Sequence, residues 1–161
     1  MTATWDNTFG FPSSAFIDLA LNRTDDEESW QVIEFLPTTP ESIEFLAARQ
    51  RWQESGPQSY SYIADTSSQL GLLSIRYTVI DGVATEAEVL AQPFFPVTDP
   101  TPRTMEEWFE EIAGAFGVGA AEVDVNYDKA TGFPAQAGID FERLIADEER
   151  SWVIRDLVIL D

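Results

Sequence analysis

The 161-residue sequence contains no cysteine and no histidine. The first absence excludes disulfides, thiolate metal sites, iron–sulfur clusters and a cysteine nucleophile. The second excludes a Ser-His-Asp triad, the usual zinc sites and imidazole acid–base chemistry. Positive charge is scarce too. Nine basic residues stand against 29 acidic ones, for a net charge of −20, and Lys129 is the single lysine. Such a surface repels nucleic acid and anionic membranes. No run approaches the roughly 18 apolar residues of a membrane-spanning helix. The first residues, Met1 to Asp6, carry neither the basic nor the apolar region of a secretory leader, so none is expected within them.

Apolar residues make up 44% of the chain, enough for a packed core at this length. The expected organisation is an N-terminal arm or subregion over residues 1–38 and a single domain over 39–161. The charge is strongly self-repulsive at low salt. Roughly 1 M salt shortens the Debye length to about 3 Å and screens most of that repulsion. A saline habitat and an ordinary acidic bacterial protein fit the composition equally well. A thermal melt against NaCl separates them.

Within residues 1–38, Ala15 to Leu21 read as a short helix behind a Ser cap, Thr24 to Glu28 as an acidic loop, and Trp30 to Leu36 as a strand. Thr39 and Pro40 then have the residue types of a helix cap and first turn, and Gly56-Pro57 ends that helix. Its expected apolar stripe is Ile43, Leu46 and Ala47, flanked by Phe45 and Trp52. Tyr60 and Tyr62 alternate with serines. Leu73, Ile75, Tyr77 and Val79 alternate with polar residues, and Asp81-Gly82 supplies the positive φ angles of a type I′ hairpin turn. Residues 92–103 hold four prolines and Phe94-Phe95, the marks of an irregular crossing.

Thr104 and Glu107 form a capping box before Met105, Trp108, Phe109, Ile112 and Phe116, which share one helical face. Three strands follow: around Val123 to Tyr127, around Ala135 to Phe141, and from Trp152 to Leu160. The last is apolar at nearly every residue, which predicts a strand that is central or covered on both faces. Two α-β-β-β units in sequence predict an α+β fold, a curved antiparallel sheet with helices on one face. Meanders of this kind need no crossover helices.

The pieces Trp52, Tyr60-x-Tyr62, Val79-x-Asp81-Gly82-Val83, Thr104-Met105-x-x-Trp108-Phe109-x-x-Ile112 and Val125-x-Tyr127-Asp128-x-x-x-Gly132-Phe133-Pro134, followed by Asp140 and Asp147-Glu148-Glu149, occur in this order. On them, residues from about 45 to 160 resemble a bacterial family of domains of unknown function found in secreted proteins and lipoproteins. The resemblance implies an exported protein without a known activity or cofactor. Members often carry a Cys-x-Cys pair after the tyrosines; any role of that pair does not transfer to a chain without cysteine.

Chemistry has few candidates. In the Tyr127 to Pro134 turn, Asp128 can hold backbone N–H groups and Gly132 a positive φ, a structural role. The acidic set Asp128, Asp140, Asp147, Glu148 and Glu149 could instead converge on a hard cation such as calcium, which wants six to eight oxygen ligands, although the order is not that of an EF-hand. A glycosidase needs only two suitably spaced carboxyl groups, but no motif selects a pair. Ser13-Ser14 and Ser67-Ser68 have no candidate base, and Gly114, Gly117 and Gly119 are read as following a helix rather than opening one, so no phosphate loop is expected. Trp52, Trp108 and Trp152 are expected in the core, while Trp5, Phe9, Phe11, Phe94 and Phe95 either dock on the body or form a patch for a partner. The expected function is a non-enzymatic, exported or envelope-associated module that binds a protein partner or small ligand. A calcium-assisted or carboxylate-based hydrolase and a structural subunit of an extracellular assembly are the alternatives.

Overall fold

The computed structural model describes residues 2–5, 12–18, 27–31, 39–68, 71–92, 96–97, 99–142 and 149–160. The chain forms two compact units, residues 1–36 and 37–161.

In the first unit, β1 (Thr2–Trp5), β2 (Pro12–Asp18) and β3 (Glu27–Gln31) form an antiparallel sheet in the order β1-β2-β3. The helix expected over Ala15 to Leu21 is therefore a strand as far as Asp18. A short apolar run cannot be assigned by periodicity alone, and here Ala15 pairs with both Ala3 and Trp30. The strand expected from Trp30 begins three residues earlier, so the acidic pair Glu27-Glu28 lies in a strand rather than a loop. The rest of that prediction, residues 32–36, falls outside the described residues, as do the side chains of Trp5, Phe9 and Phe11.

The second unit runs α1 (Pro40–Ser55), β4 (Tyr60–Ser68), β5 (Gly71–Ile80), β6 (Val83–Ala91), α2 (Met105–Val118), β7 (Glu122–Tyr127), β8 (Pro134–Asp140) and β9 (Arg150–Ile159). This is the doubled α-β-β-β order. The six strands form one antiparallel sheet in the order β6-β5-β4-β9-β8-β7. The chain's last strand inserts between β4 and β8 and joins the two halves, which leaves β6 and β7 at the edges. Among the described residues no helix is long and apolar enough to cross a membrane.

Both helices lie on one face of this sheet. Tyr60, Tyr62 and Ala64 of β4, Ile75, Tyr77 and Val79 of β5, Trp152 and Ile154 of β9, and Ala137 and Ile139 of β8 are buried beneath them. Both helix starts are capped as their residues predict. Thr39 accepts from the Ser42 N–H and Ser42 from the Thr39 N–H; Thr104 and Glu107 repeat the exchange. Each box satisfies amide groups that a helix start otherwise leaves open. All five residues of the expected α2 face are buried.

The α1 stripe differs. Ser42, Phe45, Ala48 and Trp52 face inward, while Ile43 and Leu46 are 56% and 48% exposed and Ala47 is exposed. The two rings bury more area than Ile43 and Leu46 would, and they set the helix's rotation: Phe45 packs edge-on against Phe109 and Phe116, and Trp52 against Tyr60 and Phe133. Strand β9 is central, as its composition suggests, but it is covered on one face only. Trp152 and Ile154 are buried, whereas Val153, Val158 and Ile159 remain exposed.

Candidate functional site: a groove at the open sheet edge

The residues of the aromatic and turn motifs are engaged inside the scaffold. Tyr60 Oη accepts from the Met105 N–H at the start of α2, at 2.9 Å. Tyr62 Oη donates to the Arg103 carbonyl at 2.8 Å and accepts from the Trp108 indole N–H at 2.9 Å. The Tyr-x-Tyr pair of β4 thus anchors the first turn of α2, and Trp108 rests on Trp152 with ring centroids 5.0 Å apart. Arg103 lies over the Trp108 ring, its guanidinium 3.8 Å from the ring centroid, and is itself held by Glu111. Burial raises the pKa of all four tyrosines of the chain, Tyr60, Tyr62, Tyr77 and Tyr127.

In the β7–β8 turn, Asp128 Oδ1 accepts from the Ala130 N–H, the Thr131 N–H and the Thr131 hydroxyl, within 3.0 Å each. These bonds, the Thr131 amide first, hold its carboxyl below the usual range. Gly132 has φ +88°, and a Cβ there would overlap the Ala48 carbonyl oxygen, so the turn packs directly on the α1 backbone. The structural role expected of this turn is what its geometry shows.

Of the acidic set considered for a cation, Asp128 sits in this turn. Asp140 ends β8 at the opposite end of the hairpin, paired in register with Glu122. Five to six strand residues separate the two carboxylates, roughly 17–20 Å at strand rise. Asp140 is half-buried, with Oδ1 enclosed and unpartnered. Asp147 and Glu148 lie outside the described residues, as do Phe94 and Phe95. Among the described residues no three potential ligands gather in a metal-binding group.

On the sheet face away from the helices, Ser74 donates to Asp65 Oδ1, and Arg155 Nε donates to Asp65 Oδ2 at 2.7 Å. The Arg155 hydrogen bond is the main reason the Asp65 carboxyl stays below its usual range. A carboxylate so stabilised is a poor base for the Ser74 hydroxyl. The sequence gives no hint of this trio, because three strands must pair before its members meet.

A concavity among the described residues follows the open edge of β7. It has a volume of about 480 Å³ and runs from Thr39 and Glu41 at the start of α1, past Phe116 and Gly119 at the end of α2, to Glu122, Val123 and Asp124. A narrower recess of about 70 Å³ shares Glu41, Phe116, Val123 and Asp124 with it and extends to Glu44, Val125 and Tyr127. The larger volume is in the range of small-ligand sites. Phe116, Val123 and Val125 make an apolar floor; Glu41, Glu44, Glu122 and Asp124 make a carboxylate rim. Among the described residues, neither recess has a lysine or arginine in its wall.

Tyr127 closes the narrow end. Its ring stacks on Phe109 with centroids 6.4 Å apart and an interplanar angle of 5°, and its buried hydroxyl has no partner. Burial first, and then the charge of Glu44, keeps that phenol neutral well above its usual pKa. No local sequence pattern marks this groove. The alternation Glu122-x-Asp124 and the acidic first turns of α1 are visible in the sequence, but only the strand order makes β7 an edge.

Residues 44–159 match the sequence model of a family of unknown function (DUF6174). No curated protein matches. No solved structure matches.

Proposed function

We propose that this chain, which belongs to the DUF6174 family of unknown function, is a non-catalytic binding module and that the groove along β7 is its ligand surface. One observation carries the reading: the groove joins an apolar floor to a charged rim beside main-chain groups that no strand among the described residues uses. By contrast, the residues of the aromatic and turn motifs are engaged in caps, ring contacts and a turn. Asp65 and Asp128, the carboxylates with lowered pKa values, are both engaged in internal hydrogen bonds and are unsuited to act as general acids.

The compartment belongs to the same proposal. The module works outside the cytoplasm or at the cell envelope, a reading supported by the motif resemblance to domains of secreted proteins and lipoproteins. Fractionation of the host with an antiserum tests it, and signal confined to the cytosol would count against it.

Panning a display library of random decapeptides on the full chain tests the binding role. Ala121 is exposed and lines the groove, so Ala121→Trp fills the groove without disturbing the core. Enriched peptides that compete with one another and bind Ala121→Trp at least tenfold more weakly are the expected result. No enrichment, or binders indifferent to Ala121→Trp, would remove the proposal.

A further inference from the structure

Building on the groove as the binding surface, we infer that its ligand is an extended, cationic polypeptide segment that adds to β7 as a seventh strand of the sheet. The main chain supplies the first argument. Among the described residues β7 pairs with β8 alone. The Ala121 N–H bonds to the Phe141 carbonyl, which fixes the parity of the strand. Residues 121, 123 and 125 therefore turn their amide groups toward β8. Glu122, Asp124 and Asn126 turn theirs to the open side, two residues apart, which is the spacing an added strand requires.

The opposite edge differs. The β5–β6 pairing contains two register irregularities, at Ser74/Ile75 and at Thr78/Val79, of the kind that twist an edge away from further pairing. The β7–β8 pairing has one, at its far end between Asn126 and Tyr127. The body of β7 is regular.

The side chains supply the second argument. An added strand would place alternate residues on the two sides of the sheet. On one side they would lie over Phe116 and Val123, beneath Glu41 and Glu44; on the other they would flank Glu122 and Asp124. Four carboxylates with no cation among the described wall residues match lysine or arginine, whose aliphatic stems also cover an apolar floor. The net charge of −20 draws such a segment in from a distance and repels acidic competitors.

The test titrates the full chain with an acetylated, amidated decapeptide of alternating Lys and Val, followed by calorimetry and by exchange of the β7 amides. A Thr-Val peptide and a fully N-methylated Lys-Val peptide, which keeps the charge but has no amide donors, serve as comparisons. The expected result is one saturable site, slowed exchange at Glu122, Asp124 and Asn126, and at least tenfold weaker binding of the N-methylated peptide. Glu41→Gln and Asp124→Asn should each weaken the Lys-Val peptide several-fold, and added NaCl should weaken it further.

Equal binding of the N-methylated peptide would overturn the inference in favour of surface charge alone. Thr-Val binding as tight as Lys-Val at the same amides would reject the cationic class and keep the groove as a binding surface. Amides at 122, 124 and 126 already protected in the free chain would show the edge occupied by the protein itself and would also overturn it. Failure of every peptide at a site sensitive to Ala121→Trp would remove both this inference and the binding role.

Discussion

Replacing Tyr62 by phenylalanine isolates the contribution of one hydroxyl to the scaffold. Tyr62 is fully buried, and its Oη serves both the Trp108 indole N–H and the Arg103 carbonyl. Tyr62→Phe would leave both without that partner. A buried group stripped of its hydrogen bond costs about 1–3 kcal/mol. The indole bears that cost in full, since Trp108 is 2% exposed. The Arg103 carbonyl is only part-buried and recovers some of the loss from water. The sum is roughly 2–3 kcal/mol, or a fall in melting temperature of about 4–12 °C for a chain of this size. Urea denaturation of both proteins measures it. A cycle with Trp108→Phe sharpens the test, because that change removes the stranded donor. Tyr62→Phe should then cost about 1–2 kcal/mol less in the Trp108→Phe background. A loss below about 0.5 kcal/mol, or no coupling in the cycle, would refute the bridging role.

Two glycine substitutions should act in opposite directions: Gly132→Ala should destabilise by at least roughly 1–3 kcal/mol from its positive φ, with the overlap against Ala48 adding to this, while Gly114→Ala should stabilise α2 by about 0.5–1 kcal/mol, both read by denaturant midpoint. Alkaline pH should unfold the protein cooperatively: burial raises all four tyrosines in the folded state, whereas in the unfolded chain they ionise near pH 10, so their contribution is complete below about 10 and is lost as pH climbs beyond it, by up to about 1.4 kcal/mol per unit and per tyrosine. Absorbance at tyrosinate wavelengths and circular dichroism should change together, and tyrosines titrating near pH 10 in an intact fold would contradict this. Asp128→Ala should lower stability by about 1–3 kcal/mol to the same extent with calcium or with a chelator, because its Oδ1 is committed to the turn; calcium-dependent loss would instead make it a ligand.

Where local chemistry and tertiary packing agree, the sequence is a sufficient guide. The α2 stripe and capping box, the Asp81-Gly82 hairpin with both φ angles positive, and the Asp128 to Gly132 turn all appear as their residues predict. In α1, two apolar stripes compete on one helix. The choice falls to the rings of Phe45 and Trp52, whose partners come from α2, β4 and the β7–β8 turn. Residues 12–18 have a short apolar run consistent with helix or strand, decided by pairing on both sides. Strand β9 carries valines at positions that stay exposed, so its composition overstates its burial. The groove was least legible of all. Its walls come from α1, α2 and β7, with three strands between the first helix and the other two elements in the sequence, and β7 is an edge only because β9 enters between β4 and β8.

Amide hydrogen exchange of the free full-length chain, residue by residue along β7, tests the central claim most directly. Val123 and Val125 bond to β8 and should exchange slowly; Glu122, Asp124 and Asn126 should exchange orders of magnitude faster, at rates near those of solvated loops. Uniform protection across all five would mean that the edge is closed and that the account of this groove is wrong.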